Sequence, residues 1–189
     1  MRPPASLIAL LLTSSASAQE KPPIPYNDWG ACPFECCTYR EWETTKQLNV
    51  HAKRSVHSPV AFHLAEHQKV VGVTGVVVTL QYGVTHVLMP IAVGYTANGD
   101  APQLSLKPGD VLYTLHYLGE GQDLFWYRGK TYSDQVSVPT DTSGNIPTGS
   151  KLRDESQPKT EWWVKVKATN GRTGWSNETG SFAHMDRCE

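Results

Sequence analysis

The chain of 189 residues lacks an excess of either charge: 17 Lys and Arg stand against 18 Asp and Glu, a formal net charge of −1. That balance argues against a nucleic-acid partner, which calls for a basic surface or stripe. The chain also lacks any apolar run long enough to cross a bilayer, the one near its N-terminus included. Catalytic signatures are missing as well. There is no Gly-x-Ser-x-Gly elbow of a serine hydrolase and no Gly-x-x-x-x-Gly-Lys loop to cradle phosphates. A papain-like Cys-Gly-Ser-Cys-Trp run is absent too. His63 and His67 are four apart, but Val60-Ala61-Phe62-His63-Leu64 reads as strand, and no Glu follows His63 as in a zincin. His51, His57, His63, His67, His86 and His116 could hold a metal only if the fold gathered them, so no metal or cofactor is assigned. Asp110, Glu120, Asp123, Asp134 and Asp141 fall in turn or loop contexts where carboxylates stay solvated. Nothing in the sequence places two of them across a cleft, as a glycosidase needs.

What is present begins with an export signal. Arg2 precedes the apolar Leu7-Ile8-Ala9-Leu10-Leu11-Leu12, and Ala16-Ser17-Ala18 is a small-residue cleavage site. Residues 1–18 therefore read as a signal peptide, with Gln19 first in a secreted or periplasmic protein. No cysteine follows the cut, so lipid anchoring there is not expected. Fifteen glycines, thirteen prolines and many β-branched or aromatic residues favour short strands and turns. The expected fold class is all-β.

All four cysteines lie in the exported part: Cys32, Cys36, Cys37 and Cys188. Adjacent Cys36 and Cys37 cannot easily bond each other, because neighbouring Cα atoms lie closer than disulfide geometry allows. The expectation is a short bridge from Cys32 to either Cys36 or Cys37, with the remaining cysteine joined to Cys188. A four-thiolate zinc site is the rival, though an oxidising compartment and the missing Cys-x-x-Cys knuckle speak against it.

Near the C-terminus, Trp162-Trp163-Val164-Lys165-Val166 is followed by Asn170-Gly171-Arg172-Thr173-Gly174-Trp175. Val164 and Val166 alternate with Lys165 and Lys167, the pattern of a half-buried strand. Asn170-Gly171 predicts a hairpin through a type I′ turn, with positive φ at both positions. This stretch resembles the closing half of a bacterial SH3-like domain, a small barrel of secreted and cell-wall proteins. Leu48-Asn49-Val50-His51, Ser58-Pro59-Val60 and Lys69-Val70-Val71-Gly72-Val73 resemble the family's opening half. His51 stands where the family has Arg, and His67-Gln68 where it has a turn Gly. A second opening segment, Leu106-Lys107-Pro108-Gly109-Asp110-Val111, follows later, and Tyr113, Leu115 and Tyr117 continue it with strict alternation.

The expected organisation is an extended leader and cysteine-rich cap over 19–43, then two divergent SH3-like units in tandem, 44–94 and 102–186. Strands are expected at Val76–Leu80 and Val84–Ile91 with a turn at 81–83, and a long polar loop over 133–159. One barrel interrupted by a large insertion is the alternative. The resemblance implies a non-catalytic binding module for cell-wall peptidoglycan or an envelope protein partner. Flat rings with a polar handle suit such ligands. Trp126, Tyr127, Trp162, Tyr113 and Tyr117 are the candidate binding residues, whereas Trp163 and Trp175 match family positions that read as core or groove wall. An envelope hydrolase or metal-dependent enzyme using the histidines, and a purely structural envelope protein, are the competing functions.

Overall fold

The computed structural model describes residues 21–96, 104–138 and 145–188; the segment 1–18, expected to be a signal peptide, lies outside the described residues. The fold is all-β. The chain opens with β1 (Tyr26–Trp29), β2 (Glu41–Thr44), β3 (Leu48–His51), β4 (Val60–Leu64) and β5 (Lys69–Gln81). Its middle supplies β6 (Gly83–Val87), β7 (Ile91–Val93), β8 (Tyr95–Thr96), β9 (Leu104–Leu106) and β10 (Val111–Gly119). Then follow β11 (Gln122–Tyr127), β12 (Lys130–Asp134) and β13 (Leu152–Ser156). It closes with β14 (Lys159–Ala168), β15 (Thr173–Ser176) and β16 (Phe182–Ala183), after a single 3₁₀ turn at Thr179–Ser181.

The strands sort by position in the chain, but not by the sequential division at 94/102. A first sheet, ordered β16-β2-β5-β14-β15-β3-β4 with β1 also on β5, joins both ends of the chain. A second, ordered β13-β6-β10-β11-β12-β8, is built wholly from the middle, and β7 with β9 forms a small ribbon. The segments resembling an opening half and a closing half thus meet in one sheet: β14 pairs antiparallel with β5 from Lys159↔Gln81 to Ala168↔Val70, and Trp175 of β15 lies opposite His51 of β3.

The segment from Lys69 and the strand expected at Val76–Leu80 are one strand, β5, which runs on from Lys69 to Gln81. Its glycines serve close approach instead. A Cβ on Gly72 would stand 2.6 Å from the Trp42 ring, and one on Gly75 would collide with the Tyr39 hydroxyl. Burial along β5 alternates at first and then becomes continuous through Val76, Val77 and Val78, because that half is covered on both faces. The leader is also more ordered than its prolines suggest, since Tyr26–Trp29 pairs with Val76–Thr79.

Two large apolar cores result, beside a smaller cluster of Val76, Val78 and Trp163. One, under the first sheet, gathers Trp42, Leu48, Val50, Phe62, Leu64, Val70, Val164, Val166 and Phe182. The other, under the second sheet, gathers Val87, Leu106, Leu112, Phe125, Tyr127, Val136 and Leu152. Leu152 explains why the polar stretch 133–159 is not simply a loop. Strand β13 pairs with β6 there, and Asp154 accepts from Thr85 Oγ1 at 2.8 Å and from the Val138 N–H at 3.1 Å. One buried leucine and a paired edge carry no period-2 signal for a reader of the sequence. Residues 139–144 of that stretch lie outside the described residues.

Polar contacts join the sheets. Thr79 Oγ1 donates to the Leu115 carbonyl at 2.9 Å. His116, 2% exposed, reaches Asp28 Oδ2 from Nε2 and the Tyr117 carbonyl from Nδ1, each at 2.8 Å. The cysteine cap is held by Cys32–Cys37 and Cys36–Cys188, one of the two pairings left open by the sequence. A Cβ on Gly119, at the end of β10, would stand 2.8 Å from the Glu35 backbone, so cap and second sheet meet closely.

Candidate ligand-binding site

The site follows from strand parity. Neighbouring residues of a strand point to opposite faces, so the pairs Trp126-Tyr127 and Trp162-Trp163 cannot each present two rings to one ligand. Tyr127 turns inward and is buried in the second core, where the Arg128 guanidinium lies 4.9 Å from its ring centroid. Burial and neighbouring Asp110 push its hydroxyl up from the usual tyrosine value. Tyr127 therefore does not have the exposure expected of it. Trp126 points the other way, towards the junction of the two sheets. Directly opposite it on β10 is Tyr113, on the same face.

Two rings that the sequence reading did not single out extend this pair. Tyr26 of β1 meets Trp126 edge-to-face at 6.4 Å between centroids, and Tyr82 meets Tyr113 likewise at 4.9 Å. The outcome is a row, Tyr26–Trp126–Tyr113–Tyr82, in which every member is half-buried. Burial, then Asp28, raises the Tyr26 hydroxyl above its ordinary value, which keeps it a neutral donor. The Trp126 Nε1–H is buried and has no acceptor among the described residues. An unsatisfied donor of that kind costs about 1–3 kcal/mol.

Tyr117 leaves the row because of a bulge. Register shifts between Thr114 and His116, so Tyr117 pairs with Asp123 and shares the face of Phe125 rather than that of Trp126. The extra residue breaks the strict alternation expected of Tyr113, Leu115 and Tyr117. Tyr117 is 47% exposed, and its Oη accepts the Gly121 N–H at 2.9 Å. Trp162 lies elsewhere. Its ring is half-buried against Phe34, 5.9 Å away, and its Nε1–H donates to Tyr39 Oη at 3.3 Å. Burial pushes the Tyr39 hydroxyl up to about 12, so it stays protonated and donates to the Ala31 carbonyl. Trp162 is thus a packing residue between the cap and the first core. Trp163 is buried on the opposite face with Val76 and Val78.

The titratable groups are engaged with local partners. His51 contacts the Ser58 carbonyl, His63 contacts Asn49, His67 contacts Glu43, and His86 contacts Glu155. Among the described residues, Cys36, Asp186 and Cys188 are grouped with ligand atoms within 4.8 Å. Both sulfurs are in a disulfide, so neither offers the thiolate a metal needs. Asp110 accepts from the Lys107 N–H, Asp123 from Ser137, and Asp134 from Gly94 and Gln135, so these carboxylates fix loop backbone. Glu120 occupies a turn with φ of 52°, and Asp141 lies outside the described residues.

No family model matches the chain, and neither a curated protein nor a solved structure is significantly similar to it.

Proposed function

We propose that this is an exported, non-catalytic binding module that holds cell-wall peptidoglycan against the row Tyr26–Trp126–Tyr113–Tyr82. The observation that carries the reading is the row itself: four half-buried rings at the seam between the sheets, Tyr26 edge to face with Trp126 and Tyr82 with Tyr113, the two pairs joined where Trp126 lies opposite Tyr113. Such a strip offers flat apolar area with hydroxyls at its rim, the means by which sugar and peptide ligands are held. Two disulfides suit an oxidising compartment outside the cytosol, and no helix among the described residues is long and apolar enough to cross a membrane. The SH3-like resemblance fits best as one interrupted unit, because its opening and closing halves pair through β5 and β14 around the middle of the chain.

Co-sedimentation with insoluble peptidoglycan tests this. The mature protein should pellet with the wall. Trp126→Ala should weaken retention about thirtyfold, the equivalent of a hot-spot loss near 2 kcal/mol, with the melting curve checked alongside. Trp162→Ala should instead lower the melting temperature, since it removes packing under the cap. Wild-type protein that stays in the supernatant would leave an envelope protein as the partner. Release of soluble wall fragments would establish the hydrolase alternative.

A further inference from the structure

A second aromatic cluster lies on the other face of the first sheet. Antiparallel register puts Trp29 opposite Val76, Val76 opposite Trp163, and Lys165 opposite Trp175, all on that face. Trp29 and Trp175 approach edge-to-face at 6.3 Å above the buried Val76 and Trp163. Arg54 lies against both indoles, its guanidinium carbon 4.4 Å from the Trp29 centroid and 5.8 Å from that of Trp175. Trp29 is 60% exposed, the largest exposure among the large apolar side chains of the described residues.

Arg54 is held in place before any ligand arrives. It sits in the β3–β4 loop, which is closed by Ser58 Oγ bonded to both the N–H and the carbonyl of Lys53 and by the Ser58 N–H to the Ser55 carbonyl. His51, standing where the family has Arg, anchors the loop through the Ser58 carbonyl at 3.0 Å. One guanidinium N–H donates to Asn27 Oδ1 at 3.0 Å. A guanidinium carries five N–H groups in a fixed fork, and among the described residues no carboxylate pairs with this one. Lys53 precedes it in the loop, and Lys165 lies opposite Trp175 in the register. The neighbouring Glu161 accepts from Trp163 Nε1 at 3.1 Å.

We propose that Arg54, Trp29 and Trp175 form a binding site for the terminal carboxylate of a peptide. The carboxylate takes two parallel N–H bonds from the stacked fork, and the last side chain lies on the indoles. A chain-end carboxylate suits the site better than that of a Glu side chain, because it is attached directly to the backbone and brings its own residue down onto the rings. The site uses none of the rings of Tyr26–Trp126–Tyr113–Tyr82, so it stands or falls independently of the function proposed above.

The test is tryptophan fluorescence of the full mature protein titrated with an N-acetylated alanine tripeptide, as free acid and as C-terminal amide. The free acid should give a saturable change, and the amide should bind at least tenfold more weakly. Arg54→Gln should abolish the response at an unchanged melting temperature, Arg54→Lys should weaken it at least tenfold, and Trp126→Ala should leave it intact. Equal binding of acid and amide, no saturable response to the acid, or an undiminished response in Arg54→Gln would overturn the proposal. Full affinity in Arg54→Lys would overturn the forked contact.

Discussion

The two large sheets are built in opposite ways. The second is local: β10, β11 and β12 follow one another through two-residue turns, Glu120-Gly121 and Arg128-Gly129, whose positive φ values of 52° and 77°, 47° and 85° are those of type I′. The first is closed from the chain's two ends, its central pair β5 and β14 enclosing the entire second sheet in sequence. A sheet of that kind must meet the entropy of a very long loop before its pairing stabilises anything. Its ends are accordingly stapled. Cys36–Cys188 spans 152 positions, whereas Cys32–Cys37 spans 5.

The largest expected effect tests that contrast. Replacing Cys36 and Cys188 together by Ser should cost about 5 kcal/mol in the chain-entropy model, against about 2 kcal/mol for Cys32 with Cys37. Denaturant melts of the two double variants measure the difference, and equal losses would mean that strand pairing, rather than the staple, closes the first sheet.

An intermediate effect compares the hairpins. Gly171 has φ of +85° with open space around its Cα, and Gly129 in the second sheet has the same φ. Valine at either position should lower stability by about 1–3 kcal/mol through the strain of its positive φ. Both should shift a single thermal transition if the sheets unfold as one body. Two separate transitions, each moved by one variant, would show that the joint at Asp28, His116 and Thr79 does not couple them.

The smallest effect is confined to the second sheet and to pH. Burial is the main cause that raises the Asp123 carboxyl above its ordinary 3.8. The folded protein then holds this proton more tightly than the unfolded chain, so its stabilising contribution is full at low pH and is lost as pH rises through the raised value. Asparagine has no proton to lose and still accepts from the Ser137 N–H. Wild type should therefore lose stability relative to Asp123→Asn from about pH 3 to pH 7. Wild type gaining on the variant over that range would mean the ionised carboxylate is favoured in the fold.

The closing hairpin shows how far a local signal reaches. Asn170-Gly171 marks a real turn, yet its form differs from type I′. Gly171 alone has positive φ, its N–H bonds to the Ala168 carbonyl at 2.9 Å, and Ala168 and Arg172 frame a three-residue loop. The true type I′ turns carry Glu-Gly and Arg-Gly, which no turn preference would have picked out. The candidate site was half legible for the same reason. Trp126 and Tyr113 are visible as strand aromatics, but Tyr26 sits behind prolines and Tyr82 between two strands. Nothing short of the assembled junction brings them alongside.

The amino-acid order alone determined the all-β class, the alternating strands, the absence of an adjacent-cysteine bridge and the staple from the N-terminal cap to Cys188. These rest on side-chain period, turn chemistry and bond geometry within a few residues, or on a count of four cysteines. Tertiary structure decided the rest: which strands share a sheet, which of two neighbouring rings faces outward, and the bulge that turns Tyr117 away from Tyr113. Each of those is a choice between near-equal local states, and only the packing of Trp42, Phe125 and their neighbours into two closed cores sets one below the other.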